Sequence, residues 1–490
     1  MTNPIIAGFH PDPSICRVGD TYYLATSTFE YLPGVPIHRS TDLVNWELIG
    51  NALDRTEQLP PNPGHGLVGI YAPTLRHHDG KFWLTTTDVG NIRNGQIICS
   101  ADNPAGPWSA PAYVRQAIGI DPDLSWDEDG VCRLTWASAL PTRHGIATVE
   151  INPATGELLG EPRLLWQGTG MAFAEGPHLY RIDGWWYLLL AEGGTERGHC
   201  VTIARARTLD GPFEEAPHNP ILTHRSTDHP VQNTGHGDLL QLADGSWVMP
   251  YHGVRPQGKT PKFHANGRET FLAGIDWVDG WPRVVKDRFE APIKDHSFSD
   301  DFSAATLAPL WVGPGIDPRN FTRRDDAGHL VIERSADAIF PTAVMTRIRD
   351  RSWSAEAALE NLRGSARFQL RLDAKHWYGL RVEGDEVQAV LNVGPAISVV
   401  GRVPLPASGQ VRLRISAAEA PPLRQYVPAD EPDLITLTVI EADGAETAFG
   451  PFDGRYLSTE VAGGFTGRTV GVEVLDGSVT ISAFRYQTIS

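Results

Sequence analysis

Five polar side chains recur at one position of an approximate repeat, and three of them are carboxylates. Glu175 stands nine residues ahead of Gly184 in "AEGPHLYRIDGWWYLLLAEGG", and Asp121 stands nine ahead of Gly130 in "DPDLSWDEDGVCRLT". Tyr71 precedes Gly80 by nine in "YAPTLRHHDGKFWLT", and His236 precedes Gly245 by nine in "HGDLLQLADGSWVMP". A shorter copy, "DPSICRVGDTYYLAT", reverses the turn to Gly19-Asp20 and is led by Asp12. Carboxylates held close together can divide acid–base work, because one anion raises its neighbour's pKa and lets that neighbour keep a proton. Unpaired acids gathered in an interior are costly or take up protons, so a purely structural role is an expensive arrangement.

Elements that bring the five together follow from the spacing. The units lie about fifty to sixty residues apart, and each reads as strand, Asp-Gly hairpin turn and second strand. That is the signature of a radial array of small sheets, here a five-bladed β-propeller. The dipeptide alone proves little, since it recurs at Asp279-Gly280, Asp443-Gly444 and Asp476-Gly477 outside the series. The outer half of three units, "HRSTDLVNWELIG", "ICSADNPAGPWSAP" and "IARARTLDGPFEEAP", runs a strand into a polar turn and a bulky aromatic, which makes Trp46, Trp108 and Phe213 packing residues. Second strands such as 185–190 are apolar without alternation, as expected where both faces are covered. In this arrangement Asp12, Tyr71, Asp121, Glu175 and His236 each start an innermost strand beside the central channel.

Composition sets limits. The chain has 490 residues, 41% hydrophobic, with 38 prolines and 49 glycines, which suits a turn-rich, mostly β protein of more than one domain. A net charge of −17 argues against nucleic acid, whose phosphates need clustered Lys and Arg, so the expected ligand is neutral. No apolar run reaches membrane-spanning length, and "MTNPIIAGFHPDPS" lacks the features of a secretory signal; the expectation is no membrane partner and a cytoplasmic location. Cys16, Cys99, Cys132 and Cys200 are widely spaced, which predicts reduced, structural thiols.

The propeller pattern stops near residues 291 to 300, giving a propeller over 1–295 and a second β domain over 296–490. Segments such as "SARFQLRLDAKHWYGLRVEGDEVQAVLNVG" and "GRTVGVEVLDGSVTISAFRYQT" alternate apolar and polar residues between turns, as strands of a sandwich do. That domain shows no motif-like cluster of acids or histidines, and its expected role is support for the propeller.

Together "GFHPDPSICRVGDTYYLATSTFEYLPGVPIHRSTDLVNWELIG", "GIDPDLSWDEDG", "AEGPHLYRIDGWWYLLLAEGGT", "NTGHGDLL" and "NGRETFLAGIDWVDGWP" resemble glycoside hydrolase family 43, in particular its two-domain β-xylosidases and α-L-arabinofuranosidases. The resemblance implies an all-β chain, a five-bladed propeller followed by a concanavalin-like β-sandwich, that hydrolyses glycosidic bonds with inversion. On it, Asp12 of "HPDPS" matches the general base, Glu175 of "AEGPH" the general acid, and Asp121 of "IDPDL" the carboxylate that orients the acid and keeps its pKa high. Inversion needs room for water, so the carboxyl groups of Asp12 and Glu175 are expected about 6.5–9.5 Å apart.

The same resemblance implies that Arg268 of "NGRETF" contacts the terminal sugar's hydroxyls and that Phe29 of "STFEYLPG" lines the pocket. His236 matches a histidine that in many relatives holds an ion or water, commonly calcium, although a lone histidine has no metal-site spacing. No organic cofactor is implied. Tyr71 departs from the tryptophan more usual before "AP" in β-xylosidases, which bears on subsite shape. The expected reaction is exo-release of β-D-xylose from the non-reducing end of xylo-oligosaccharides, with α-L-arabinofuranosidase as the alternative and a non-catalytic sugar-binding propeller as the rival from another class. An invertase-like fructosidase is disfavoured, since its Asn-Asp-Pro and Arg-Asp-Pro signatures do not occur early in the chain. Homo-oligomers are common among relatives, and the apolar pattern leaves that state open here.

Overall fold

The computed structural model describes residues 3–60, 69–258, 260–420 and 432–489. These divide into two compact units, one comprising Met1–Ile6, His10–Val254 and Glu269–Pro292, the other Ala7–Phe9, Arg255–Arg268 and Ile293–Ser490. The main break lies within the 291–300 stretch, and two short segments from before that break belong with the second unit.

The first unit is a five-bladed β-propeller of antiparallel sheets. Blade one is built from Ser14–Val18, Thr21–Ala25, Gly34–Ser40 and Glu47–Leu53 in that order, and blade two from Thr74–His78, Lys81–Thr86, Gln96–Ala101 and Ala112–Val114. Blade three runs Gly119–Trp126, Cys132–Ser138 and Gly145–Asn152, with Glu157–Leu158 and Arg163–Trp166 both pairing on its third strand. Blade four contains Glu175–Ile182, Trp185–Glu192, Cys200–Ala206 and Glu214–Glu215. In blade five the inner strand is split into Gln232–Gly235 and Leu240–Gln241, both paired with Trp247–Val254, and Glu269–Val278 and Trp281–Val285 follow. Blade five is tied to the start of the chain, where the Ile5 amide donates to the Thr270 carbonyl at 2.9 Å and the Thr270 hydroxyl to the His10 carbonyl at 2.6 Å.

Turn chemistry explains the repeat and its variations. Asp79-Gly80 and Asp183-Gly184 both take positive φ at two successive residues, the requirement of the tightest hairpin turn, which Asp-Gly meets at little cost. Blades three and five place only the glycine, Gly130 or Gly245, at positive φ, in turns closed by the Gly130 amide to Asp127 and the Gly245 amide to Leu242. The second strands are core: the strand from Trp185 to Glu192 is buried at every residue except the first. Trp108 is buried with Phe82 and Leu84, while Trp46 and Phe213 pack half-buried against the blades beside them.

All four cysteines are free and buried. Burial pushes the thiols of Cys16 and Cys99 up to about 12 and that of Cys200 up to about 11, so none carries the charge of a reactive thiolate near neutrality.

The second unit is a β-sandwich built on two long strands, Trp353–Asp373 and Thr469–Thr488, paired along nearly their whole length. Their ladder slips between Glu360 and Arg363, where Asn361 takes φ 50° and Gly364 φ 86°. Ahead of the slip the first long strand pairs with Val411–Ala418, and beyond it with His376–Glu383, so a bulge lets one strand serve both layers. Alternate residues face one core that includes Trp353, Phe368, Tyr378, Phe484 and Tyr486. Within this unit the buried guanidinium of Arg468 grips Asp433 and the carbonyls of Leu457 and Gly454.

Candidate active site

Regular pairing fails at one level in several blades, and the expected chemical residues sit at the failures. In blade three the ladder slips between Ile120 and Asp123, in blade four between Glu175 and His178, and in blade five between Gln232 and Gly235. Asp12, Asp121 and His236 take the left-handed backbone conformation, with φ of 57°, 55° and 49°, and Gly176 does so next to Glu175. Such bulges turn a side chain out of the pleat and toward the channel, and strain of this kind concentrates at functional sites.

A chain of contacts joins these positions across the blades. The carboxylate of Asp121 accepts a hydrogen bond from the Gly176 amide at 3.0 Å, and so fixes the backbone directly after Glu175. A Cβ added to Gly176 would lie 3.0 Å from the ring of His236, tighter than an ordinary contact, and its φ of 57° also favours glycine. His236 Nδ1 lies 3.5 Å from Asp12 Oδ1, and His252 Nδ1 lies 3.0 Å from the same oxygen. Ser27 donates its hydroxyl to the other Asp12 oxygen at 2.5 Å. Asp12, Asp121 and His236 are all buried, while Glu175 is partly open to solvent. Phe29 and Tyr71 meet edge to face, ring centres 5.3 Å apart. Arg268 falls in the second unit, buried, with its guanidinium carbon 5.6 Å from the ring centre of Phe465.

Next along these inner strands lies a second polar group that the repeat did not announce. Arg76 donates to Asp123 Oδ1 and to Asp238 Oδ2, both at 2.7 Å, and reaches His178 Nδ1 at 2.9 Å. Ser14 donates to Asp238 at 2.8 Å, Tyr180 to its other oxygen at 2.6 Å, and the Leu179 amide to Asp123 at 3.0 Å. Every blade therefore contributes to one network, in which both carboxylates are fully engaged. Burial alone would raise the carboxyl of Asp238, but the charges of Arg76 and His178 beside it hold it well below the usual carboxylate range. A sequence signal existed: Ser14, Asp123 and Asp238 each follow a leading residue of the repeat by two positions. His252 and Ser27 lie on other strands or loops and carried no such mark.

Asp12, His236 and His252 also form a group whose ligand atoms lie within 4.8 Å of one another, a geometry that can hold a metal ion. Calcium is a poor match to one carboxylate and two imidazoles, since it takes six to eight oxygen ligands. Such a donor set suits ions that favour imidazole. The same Asp12 oxygen faces both histidines, so an ion there would occupy the carboxylate that the sequence marks as the proton acceptor.

Comparison with known proteins agrees with this architecture. Residues 1–282 match Glycosyl hydrolases family 43. A non-reducing end alpha-L-arabinofuranosidase of Bacteroides ovatus is 36% identical over 96% of this chain and 90% of its own length. A beta-xylosidase of Bacillus subtilis is 35% identical over 79% of this chain and 80% of its own. The crystal structure of a xylan beta-1,4-xylosidase from Bacillus halodurans superimposes with a TM-score of 0.87 at 31% identity, covering 99% of this chain and all of that one. With more than half its length matched to the family and a relative 36% identical over nearly all of it, this chain belongs to glycoside hydrolase family 43.

Proposed function

We propose that the protein is an exo-acting, inverting glycosidase that releases a terminal β-D-xylose from the non-reducing end of short xylo-oligosaccharides. The observation that carries this reading is the grip of Asp121 on the amide beside Glu175, linked through His236 to Asp12. In it Asp12, held by Ser27 and His252, takes a proton from the attacking water, while Glu175 gives its proton to the leaving oxygen. Asp121 fixes the backbone that carries the acid and adds the negative charge that favours its protonated form. The Phe29–Tyr71 edge supplies an apolar wall for the sugar ring. No step passes through a metal ion.

A second reading, α-L-arabinofuranosidase, is favoured by the Bacteroides ovatus relative, which matches almost the whole chain. Steady-state rates on an aryl β-D-xylopyranoside, an aryl α-L-arabinofuranoside and xylobiose separate the two. Xyloside preference with xylobiose cleavage supports the first; arabinoside preference without it makes the protein a debranching enzyme. NMR of the first-formed sugar tests inversion, since a β-xyloside must yield α-xylose. A reducing, cytoplasmic setting fits four free buried thiols, and fractionation of the source cell tests it.

A further inference from the structure

The loop over residues 168–174 leads directly into Glu175, and it is fastened from within. Thr169 gives its amide and hydroxyl to the buried carboxylate of Glu192 at 3.0 and 2.9 Å, and Thr202 adds its own hydroxyl. The Ala172 carbonyl accepts from the Gly193 amide at 2.7 Å, and the sulfur of Met171 lies 3.6 Å from that of Cys200. The next residue is treated differently. Phe173 takes φ 53°, where a bulky side chain is a genuine outlier, and its side chain stays outside, 73% exposed. An exposed apolar side chain alone is ordinary. One held out by a fastened loop in a strained conformation is the arrangement found at ligand clamps.

Its position is defined on two sides. A Cβ added to Gly194 would meet Phe173 Cδ2 at 3.2 Å, so the ring lies against that glycine. The following residue, Thr195, brings its hydroxyl 3.5 Å from His252 Nε2, and the other nitrogen of that ring is 3.0 Å from Asp12. In the other direction Glu175 is two residues along the chain, at most about 7 Å away in Cα position. Phe173 thus stands beside the acid, against the segment that reaches the base through His252.

We propose that Phe173 is the stacking face for the sugar on the leaving-group side of the scissile bond, and that it selects oligosaccharides over simple glycosides. The proposal rests on the reading of Glu175 as the acid: a group that protonates the leaving oxygen has the departing sugar beside it. The C–H face of a pyranose is apolar and packs on an aromatic ring as other apolar surfaces do. Strain at Phe173 keeps the ring presented before substrate arrives, so little ordering remains to be done on binding.

The test uses the full chain with Phe173→Ala, Phe173→Gly and Phe173→Trp, on xylobiose and on β-D-xylopyranosyl fluoride. Fluoride has no ring to stack and leaves without a proton. In the Ala and Gly variants KM for xylobiose should rise about tenfold, the size of one aromatic contact. Turnover of the fluoride and inhibition by free xylose should stay at wild-type values, and Trp should restore xylobiose affinity. Glycine takes positive φ without strain, so that variant guards against misfolding. A fall in kcat for xylobiose with KM unchanged would show that the loop merely positions the acid, equal losses on both substrates would show that it shapes the site of the terminal sugar, and unchanged xylobiose kinetics would show that the ring binds nothing; each overturns the proposal alone. A wild-type protein inactive on both substrates would overturn the function together with it.

Discussion

Asp121 and Asp123 lie two residues apart in one strand, both buried, and their surroundings assign them opposite work. Asp123 is surrounded by donors: Arg76, the Leu179 amide and His178 all reach it within 3.2 Å. Asp121 sits at a ladder break in the left-handed conformation and holds the amide beside Glu175. The same contrast separates two layers of the channel, Asp12, Asp121, Glu175 and His236 in one and Ser14, Arg76, Asp123, His178 and Asp238 in the other. Residue type and burial do not distinguish the layers. Backbone strain and the kind of partner do, and the comparison predicts that one layer fails in chemistry and the other in stability.

The largest effect tests the strained layer. Asp12→Asn keeps a side chain suited to positive φ but removes the carboxylate proposed as the base, so kcat should fall by about 10²–10⁴-fold. Xylotriose binding by calorimetry and the melting temperature should remain near wild type. Glu175→Ala should fail chiefly on xylobiose, because aryl leaving groups need less proton assistance. A large drop in melting temperature for Asp12→Asn would break the division between layers.

The network layer should respond the other way. Arg76→Met strands two buried carboxylates, and removing one partner of such an arrangement costs about 3–5 kcal/mol. The pH dependence gives a signature. In the wild type the pKa of Asp238 is depressed, so its contribution is full above the unfolded-state pKa and is lost as pH falls toward the folded one. Without Arg76 burial is no longer offset to the same degree, the folded-state pKa rises, and ionising the carboxyl then costs stability. Melting scans from pH 7 to pH 5 should therefore show the variant gaining stability on acidification relative to wild type. A variant that melts like wild type at both pH values would sink the structural role of the network.

Asp121→Asn sharpens the comparison within the strained layer. It removes the charge and leaves an oxygen able to accept from Gly176. Losing a neighbouring anion favours ionisation of the acid, and a general acid works only when protonated. The high-pH limb of kcat/KM should therefore move to lower pH. The matching change at Asp123 should alter thermal stability and leave the limb in place.

Repetition made the propeller and the strained layer legible in sequence, since in four of the five units one residue leads a strand and a glycine turn at a fixed spacing of nine, and the fifth is a shortened copy. Variation in the turns did not obscure this, because Gly130 and Gly245 supply positive φ even where the aspartate does not. The network layer was harder to read for a physical reason. Its central member, Arg76, is a single cation that satisfies acids from two blades at once, a pairing between units that spacing within a unit does not encode. His252 and Ser27 escaped because they come from a second strand and a loop, and Phe173 because its meaning lies in a backbone dihedral and an exposed ring. The grouping of Arg255–Arg268 with the second unit was also hidden, since those residues lie between strands of blade five without a change in composition.

Blade two offers the finest division, because one stretch carries both Tyr71, proposed for the sugar wall, and Arg76 of the network. Tyr71 meets Phe29 edge to face at 5.3 Å, and such a contact carries about 0.5–1.5 kcal/mol. Tyr71→Trp keeps an aromatic group and its amide, whose hydrogen bond to the Thr87 carbonyl at 3.0 Å does not depend on the side chain. Stability should therefore hold. The larger indole changes the shape of the wall, so the ratio of kcat/KM for aryl β-D-xyloside to that for aryl α-L-arabinofuranoside should shift by about two- to tenfold, the range of a contact of that size. An unchanged ratio would place Tyr71 outside the sugar wall, leaving blade two with a structural contribution alone.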